Sequence, residues 1–276
     1  MRVDAHQHFW RYNAEEFGWL TGALTGLRRD FLPGDLEPEL RAAGMDGTVA
    51  VQARQSEEET RWLLELAKRH AWISGVVGWV DLRAENVRDE LARWAADGKL
   101  VGVRHIVQAE LKREFMLQED FQRGIAALEE FGLAYDLLVF PKHLPAALKL
   151  VRAFPRQQFV LDHVAKPMIR AGLLEPWAMQ LRALAACQNV SCKLSGLVTE
   201  AQMPGWRQAD FKRFLEVALE AFGPRRLMLG SDWPVCLAGG SYADAVGVVR
   251  AFIAGLTETE RAEIEGGACA RAYGLG

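Results

Sequence analysis

Cysteine and histidine are both scarce in this 276-residue chain, at four and six residues. Cys187, Cys192, Cys236 and Cys269 form no Cys-x-x-Cys pair and no dense framework, which excludes a thiolate metal cage and a disulfide scaffold. They read as reduced, small apolar residues of a cytoplasmic protein. No apolar run approaches the ~20 residues of a membrane span, and the opening MRVDAHQHFW has the form of neither a secretory signal nor a transit peptide. A net charge of −3 gives no electrostatic case for nucleic acid or an anionic membrane surface. No Gly-x-Gly-x-x-Gly turn follows a strand-like stretch, which argues against a dinucleotide-binding open sheet. Low-complexity segments and linkers are missing too, so residues 1–276 read as a single domain.

What remains is regular alternation. Strand-like stretches begin at Arg2–Ala5 and continue at 47–52, 73–81, 100–105, 133–139, 158–163, 190–194 and 227–232. Helical patterns fall at 36–43 (capped by Asp35), 57–70 (Ser56 with a Glu59 capping box), 84–96, 119–131, 144–154, 175–187, 208–222, 242–255 and 258–265. Eight strands, each followed by a helix, predict an α/β fold: a (β/α)8 barrel with its active site at the carboxyl ends of the strands. The irregular stretch Arg11–Pro33 is expected to wall or cover a pocket.

Polar residues gather at those strand ends: His6 and His8, Gln52, Trp79 and Asp81, Arg104 and His105, Asp162 and His163, Lys193, Asp232 and Trp233. Alternation along a strand puts His6 and His8 on one face, with Asp4 sharing their parity. Two imidazoles converging from one strand end can hold a metal ion or polarise a carbonyl. His70, on a helix, and His143, beside Pro141, are expected to be surface residues.

The stretches DAHQHFW (4–10), GVRH (102–105), LDHVAKP (161–167), CKLSGL (192–197) and LGSDWPV (229–235) resemble, in order and across nearly the whole chain, the amidohydrolase superfamily. The match is to its sugar-lactonase branch, that of the L-fuconolactonases and L-rhamnono-lactonases. Ala268, in GGACARAYGL, departs from the asparagine expected in that terminal stretch. The resemblance implies a distorted (β/α)8 barrel and, in the wider superfamily, a metal site from the strand 1 histidines, histidines of strands 5 and 6, and the strand 8 aspartate. Here strand 5 offers Asp136 instead of histidine, and Arg104 stands where a bridging ligand would be, which argues against a two-metal centre. One ion, such as zinc, on His6, His8, His163 and Asp232 is the alternative to a metal-independent site. Arg104 and Lys193 would oppose a cation, and the expectation leans to no required cofactor.

The implied function is hydrolysis of a sugar lactone, with Asp232 as general base and His6, His8 and His163 polarising the carbonyl. Gln52, Arg104, His105 and Lys193 would hold hydroxyls or the developing carboxylate, and Trp79 or Trp233 the apolar face of the sugar. The partner is then a small-molecule lactone, with homo-oligomerisation left open. The rivals are a metal-dependent decarboxylase or hydrolase of aromatic acids and a non-catalytic sugar-acid-binding protein.

Overall fold

The computed structural model describes residues 1–276. Eight parallel strands lie side by side in chain order: β1 (Val3–Gln7), β2 (Gly47–Val51), β3 (Ile73–Gly78), β4 (Leu100–His105), β5 (Ala134–Leu137), β6 (Phe159–Leu161), β7 (Val190–Leu194) and β8 (Leu227–Leu229). Between and after them run α1 (Pro33–Ala42), α2 (Glu57–Arg69), α3 (Val87–Ala95), α4 (Glu119–Glu130), α5 (Leu144–Ala153), α6 (Trp177–Ala185), α7 (Leu197–Glu200), α8 (Gln208–Phe222), α9 (Tyr242–Ile253), α10 (Glu258–Ala262) and α11 (Ala268–Tyr273). The sheet closes just beyond β8, where Asp232 N donates to His6 O (2.8 Å) and His8 N to Trp233 O (2.7 Å). The expected (β/α)8 barrel is therefore present, with shorter strands than the apolar runs suggested.

Two local expectations fail for physical reasons. Asp35 does not cap α1; it is the third residue of the helix, and its carboxylate accepts the backbone N–H of Leu32 (2.8 Å). Ser56 caps α2, but Glu59 closes no capping box. Its carboxylate instead takes the N–H groups of Ala53 and Arg54 (2.8 and 2.7 Å), pinning the turn that leaves β2.

The barrel interior has two storeys. The lower is apolar: Val3, Ala5, Val49, Val51, Val77, Val101, Ala134, Val160 and Met228 pack with Ala268, Cys269 and Tyr273 of α11, which closes the barrel from below. Each fully buried valine contributes roughly 1.5–3 kcal/mol by leaving water. Ala268, where the resemblance led us to expect asparagine, is 1% exposed and packs as a small apolar residue there. The upper storey is charged: Arg104, Asp136, Asp162 and Lys193 are all buried inside the strand ends. The helices pack outside around a second, larger apolar cluster that includes Tyr135, Phe159, Trp177 and Phe214.

Candidate active site

Strand 1 brings both histidines to the site, though not by simple alternation. A register shift lies between Asp4 and Gln7, a bulge of the kind common beside active sites. It separates Asp4 from His6 and His8. The Asp4 carboxylate turns to Ser231 N and Oγ (2.8 and 2.6 Å), Tyr242 Oη of α9 (3.1 Å) and His6 N (3.1 Å). Burial against those four bonds pushes Asp4 up to about 6. It ties β1 to the end of β8 and takes no part in the cavity. Gly230 allows that junction, because a Cβ there would lie 3.0 Å from His6 Cβ.

Above the charged storey opens a cavity of about 250 Å³. His8, Arg104, His163 and Asp232 line it, together with Trp19, Lys166 and apolar groups such as Leu138 and Val235. Its size is below the usual range for drug-sized ligands and suits a small one. Trp19 belongs to the irregular 11–33 stretch, so that stretch does wall the pocket.

Asp232 is the hub. Its Oδ1 lies 3.4 Å from His8 Nε2, 3.8 Å from His6 Nε2 and 3.9 Å from His163 Nε2. Burial raises its pKa, but His163, the hydrogen bond to His8 and the field of His6 more than reverse that and hold the carboxyl below the usual range. Burial drives His6 well below the usual imidazole value, with Lys193 adding to the effect. Burial also lowers His163 to about 4 against the pull of Asp232 and Asp162. At neutral pH Asp232 is thus ionised, and His6 and His163 are neutral.

The bonds on the far side of each ring decide what the near side can do. His8 Nδ1 faces the Val51 carbonyl (2.8 Å), which only accepts, so Nδ1 donates to it and Nε2 is turned to the cavity and Asp232. His6 Nδ1 stands between Lys193 Nζ (3.1 Å) and Asp162 Oδ1 (3.3 Å), and Arg104 Nη1 approaches its Nε2 at 3.3 Å, so a cation approaches each of its ring nitrogens. His163 Nδ1 meets Ser195 Oγ (2.8 Å), which can donate, leaving Nε2 free to carry N–H.

The charged storey beneath is a chain of alternating signs. Arg104 Nη1 bonds Asp162 (2.9 Å), and its Nη2 bonds the Gln52 carbonyl and side chain. Lys193 Nζ lies 3.0 Å from Asp162 and 2.5 Å from Asp136, whose two oxygens accept Tyr273 Oη of α11 (2.8 Å each). Burial alone would raise Asp162, but Lys193, His6 and Arg104 hold it well below the ordinary value. Two cations and two carboxylates balance, so the charged storey is neutral as a set and the histidines face the Asp232 carboxylate.

That balance alters the objection to a metal ion. The sequence shows Arg104 and Lys193 as opposing charges, whereas the structure neutralises both. His6 Nε2, His8 Nε2 and an Asp232 carboxylate oxygen face one another, the two ring nitrogens 3.2 Å apart. Donor atoms on a tetrahedral zinc ion lie about 3.3 Å from one another. The residues present therefore fit one zinc ion, held by His6, His8 and Asp232 with His163 close by.

Several expected site residues lie elsewhere. Lys193 and Gln52 sit under the cavity floor and do not line the cavity. His105 points opposite to Arg104, stacks on Phe115 (4.9 Å) and bonds Glu110 (2.8 Å). Trp233 is buried against Phe9 and Phe31, and the Trp79 backbone is clasped by Thr60 Oγ1. His143 is no surface residue: it is fully buried, and its Nδ1 accepts the N–H of Phe140 (3.1 Å) to shape the turn after β5. Sequence reading gave no role to Asp162, Trp19, Lys166 or Tyr273. Asp162 shares the inward parity of Val160 and could have been found by alternation; Trp19, Lys166 and Tyr273 carry no such signal.

A family model for amidohydrolases matches residues 3–275. The chain belongs to the amidohydrolase family. An L-fucono-1,5-lactonase of Burkholderia multivorans is 43% identical over 100% of this chain and 96% of its own length. A second, of Burkholderia ambifaria, is 40% identical over 88% and 83%. A crystal structure of an amidohydrolase from Burkholderia multivorans with bound zinc superposes with a TM-score of 0.96 at 43% identity, covering both chains fully. Another, with bound HEPES, gives 0.95 at 42%, again covering both chains fully. A 5-carboxyvanillate decarboxylase from Sphingomonas paucimobilis is 15% identical at a TM-score of 0.68, over 100% of this chain and 99% of its own, a likeness of fold alone.

Proposed function

We propose that this enzyme hydrolyses a sugar 1,5-lactone to the open sugar acid, as the names of its amidohydrolase relatives indicate for them. The observation that carries the reading is the pairing of ionised Asp232 with three imidazoles, two of them, His8 and His163, at the wall of a small, partly apolar cavity. A lactone carbonyl is more electrophilic than an amide and needs a placed water with a base.

In the proposed reaction Asp232 accepts a proton as the water oxygen bonds to the lactone carbon. His8 Nε2, beside Asp232, helps to orient that water. His163 Nε2–H donates to the oxyanion, a preorganised donor worth roughly 3 kcal/mol, and the Arg104 charge lies on the same cavity wall. In this reading His163 takes the carbonyl-polarising role that the sequence reading shared among His6, His8 and His163. The carbon–ring-oxygen bond then breaks, the proton on Asp232 passes to the ring oxygen, and the acid ionises to carboxylate. A zinc ion on His6, His8 and Asp232, when bound, would lower the pKa of water there and polarise the carbonyl.

We carry forward the proposal that the chain's own groups suffice and that the ion adds to the activity. His163 acts as a donor whether or not an ion is held. We read the chain as one catalytic domain acting in the cytoplasm on a small neutral sugar, with self-association a separate question. No helix is long and apolar enough to cross a membrane. A pH-indicator screen of aldonolactones, with and without exhaustive chelation, tests both points. Turnover of a sugar 1,5-lactone is expected, largely kept after chelation. No lactone turnover would sink the function, and loss on chelation restored by stoichiometric zinc would sink the metal-free part.

A further inference from the structure

The backbone from His163 to Lys166 forms a left-handed turn without a glycine: φ is 54°, 52°, 59° and 51° at His163, Val164, Ala165 and Lys166. L-residues avoid this region, and a β-branched valine there is an outlier. Neighbours over-determine the turn. Lys166 N donates to His163 O (2.7 Å), Trp177 Nε1 holds Val164 O (2.7 Å), and Gly196 leaves room for the His163 ring, which a Cβ would meet at 2.8 Å. Strain held this firmly beside a cavity points to a requirement on where side chains go.

In a turn closed by an i to i+3 bond, residues three apart eclipse one another. His163 and Lys166 accordingly face the same cavity. A right-handed turn of the same residues would send them the other way. The other charged groups there are committed: Arg104 to Asp162 and Gln52, Asp232 to the histidines. Lys166 makes no ion pair or hydrogen bond through Nζ; it lies 5.5 Å from the Phe140 ring centre, and its charge is felt at His163 and Glu200.

We propose that Lys166 is a recognition residue for the carboxylate that forms when the lactone opens. It gives the His163 end of the cavity a preference for the sugar acid over neutral sugars. The inference rests on the lactonase reading, since only that reaction turns a neutral ligand into an anion at this place. It implies that the enzyme is inhibited by its own product through Lys166.

The test compares two inhibitors, the product aldonate and the matching neutral 1,5-anhydroalditol, on wild type, Lys166→Arg and Lys166→Asn. Asparagine is chosen because it tolerates left-handed backbone, and melting curves confirm that it folds. Calorimetric binding of both compounds runs in parallel and needs no turnover. Lys166→Asn is expected to weaken aldonate binding about 10-fold or more and anhydroalditol binding less than about 2-fold, with Lys166→Arg close to wild type. Equal losses for both compounds, or unchanged aldonate binding in folded Lys166→Asn, would overturn the proposal. A wild type that binds aldonate through Lys166 yet opens no lactone would instead overturn the function while sparing the recognition site.

Discussion

The two storeys of the barrel interior are built from the same strands yet obey opposite rules. Below, Val49, Val77, Val101 and Val160 need only fill space, and α11 seals them from water. Above, Arg104, Asp136, Asp162 and Lys193 are as deeply buried but survive there only as a set, each charge answered by its neighbours. The difference teaches that this barrel spends its upper half on holding charge in place. A buried charge network is costly to dismantle one member at a time, and that fixes where His6 stands beneath the cavity and Arg104 at its wall.

The largest break in that contrast should come from Lys193→Met. It leaves Asp136 and Asp162 buried without their shared cation, and the expected loss of stability is about 3–5 kcal/mol by denaturant unfolding. Adding Asp136→Asn should return part of it, whereas a double variant no more stable than the single would mean that the charges are not coupled.

Asp232→Asn tests the working face of the upper storey and leaves both storeys standing. We expect kcat to fall by about 10²-fold or more with KM and the melting temperature little changed. Near-normal kcat would place the base elsewhere.

Glu59 sharpens the comparison, because it is a buried carboxylate held mainly by backbone N–H groups, with Arg54 Nε at 3.4 Å. Burial pushes it up from 4.5 to about 7, against the pull of Arg54 and those N–H groups. The folded state thus binds more protons than the unfolded one between those values. Stability from this group is therefore full below about 4.5 and declines as pH rises through 7, by roughly 3 kcal/mol at most. Glu59→Gln should flatten that decline; a wild-type curve rising over the same window would contradict the assignment.

The smallest effect is expected where the storeys meet. Tyr273→Phe keeps the ring that closes the floor and removes the hydroxyl bonded to Asp136, at a cost of about 1–2 kcal/mol. A loss as large as that of Lys193→Met would show that floor and charge network are one unit.

Much of this organisation was legible in the residues. The eight apolar runs announced the barrel, and the structure brings His6, His8, Arg104, His163 and Asp232 together, because strand ends share one face. What failed was the finer pointing. A bulge after Asp4 breaks the parity it seemed to share with the histidines. His105 beside Arg104 had to face outward, as adjacent strand residues do, and an aromatic pocket around Trp233 leaves no ring for a sugar. Asp136, noted only as a missing histidine, proves to be the partner of Lys193. Trp19 and Lys166 arrive through an irregular segment and a left-handed turn, for which neither 2- nor 3.6-residue periodicity gives a signal.

The seal formed by α11 also bears on how such a barrel is made. Residues 268–275 follow every strand in the chain, so a protein emerging residue by residue has all eight strands before it has Tyr273 or the floor. Until then Asp136 lacks its hydroxyl partner and the valine layer stands open to water from below. Completion of the core is thereby deferred until α11 has been made, and clipping residues 268–275 would act on the middle of the molecule.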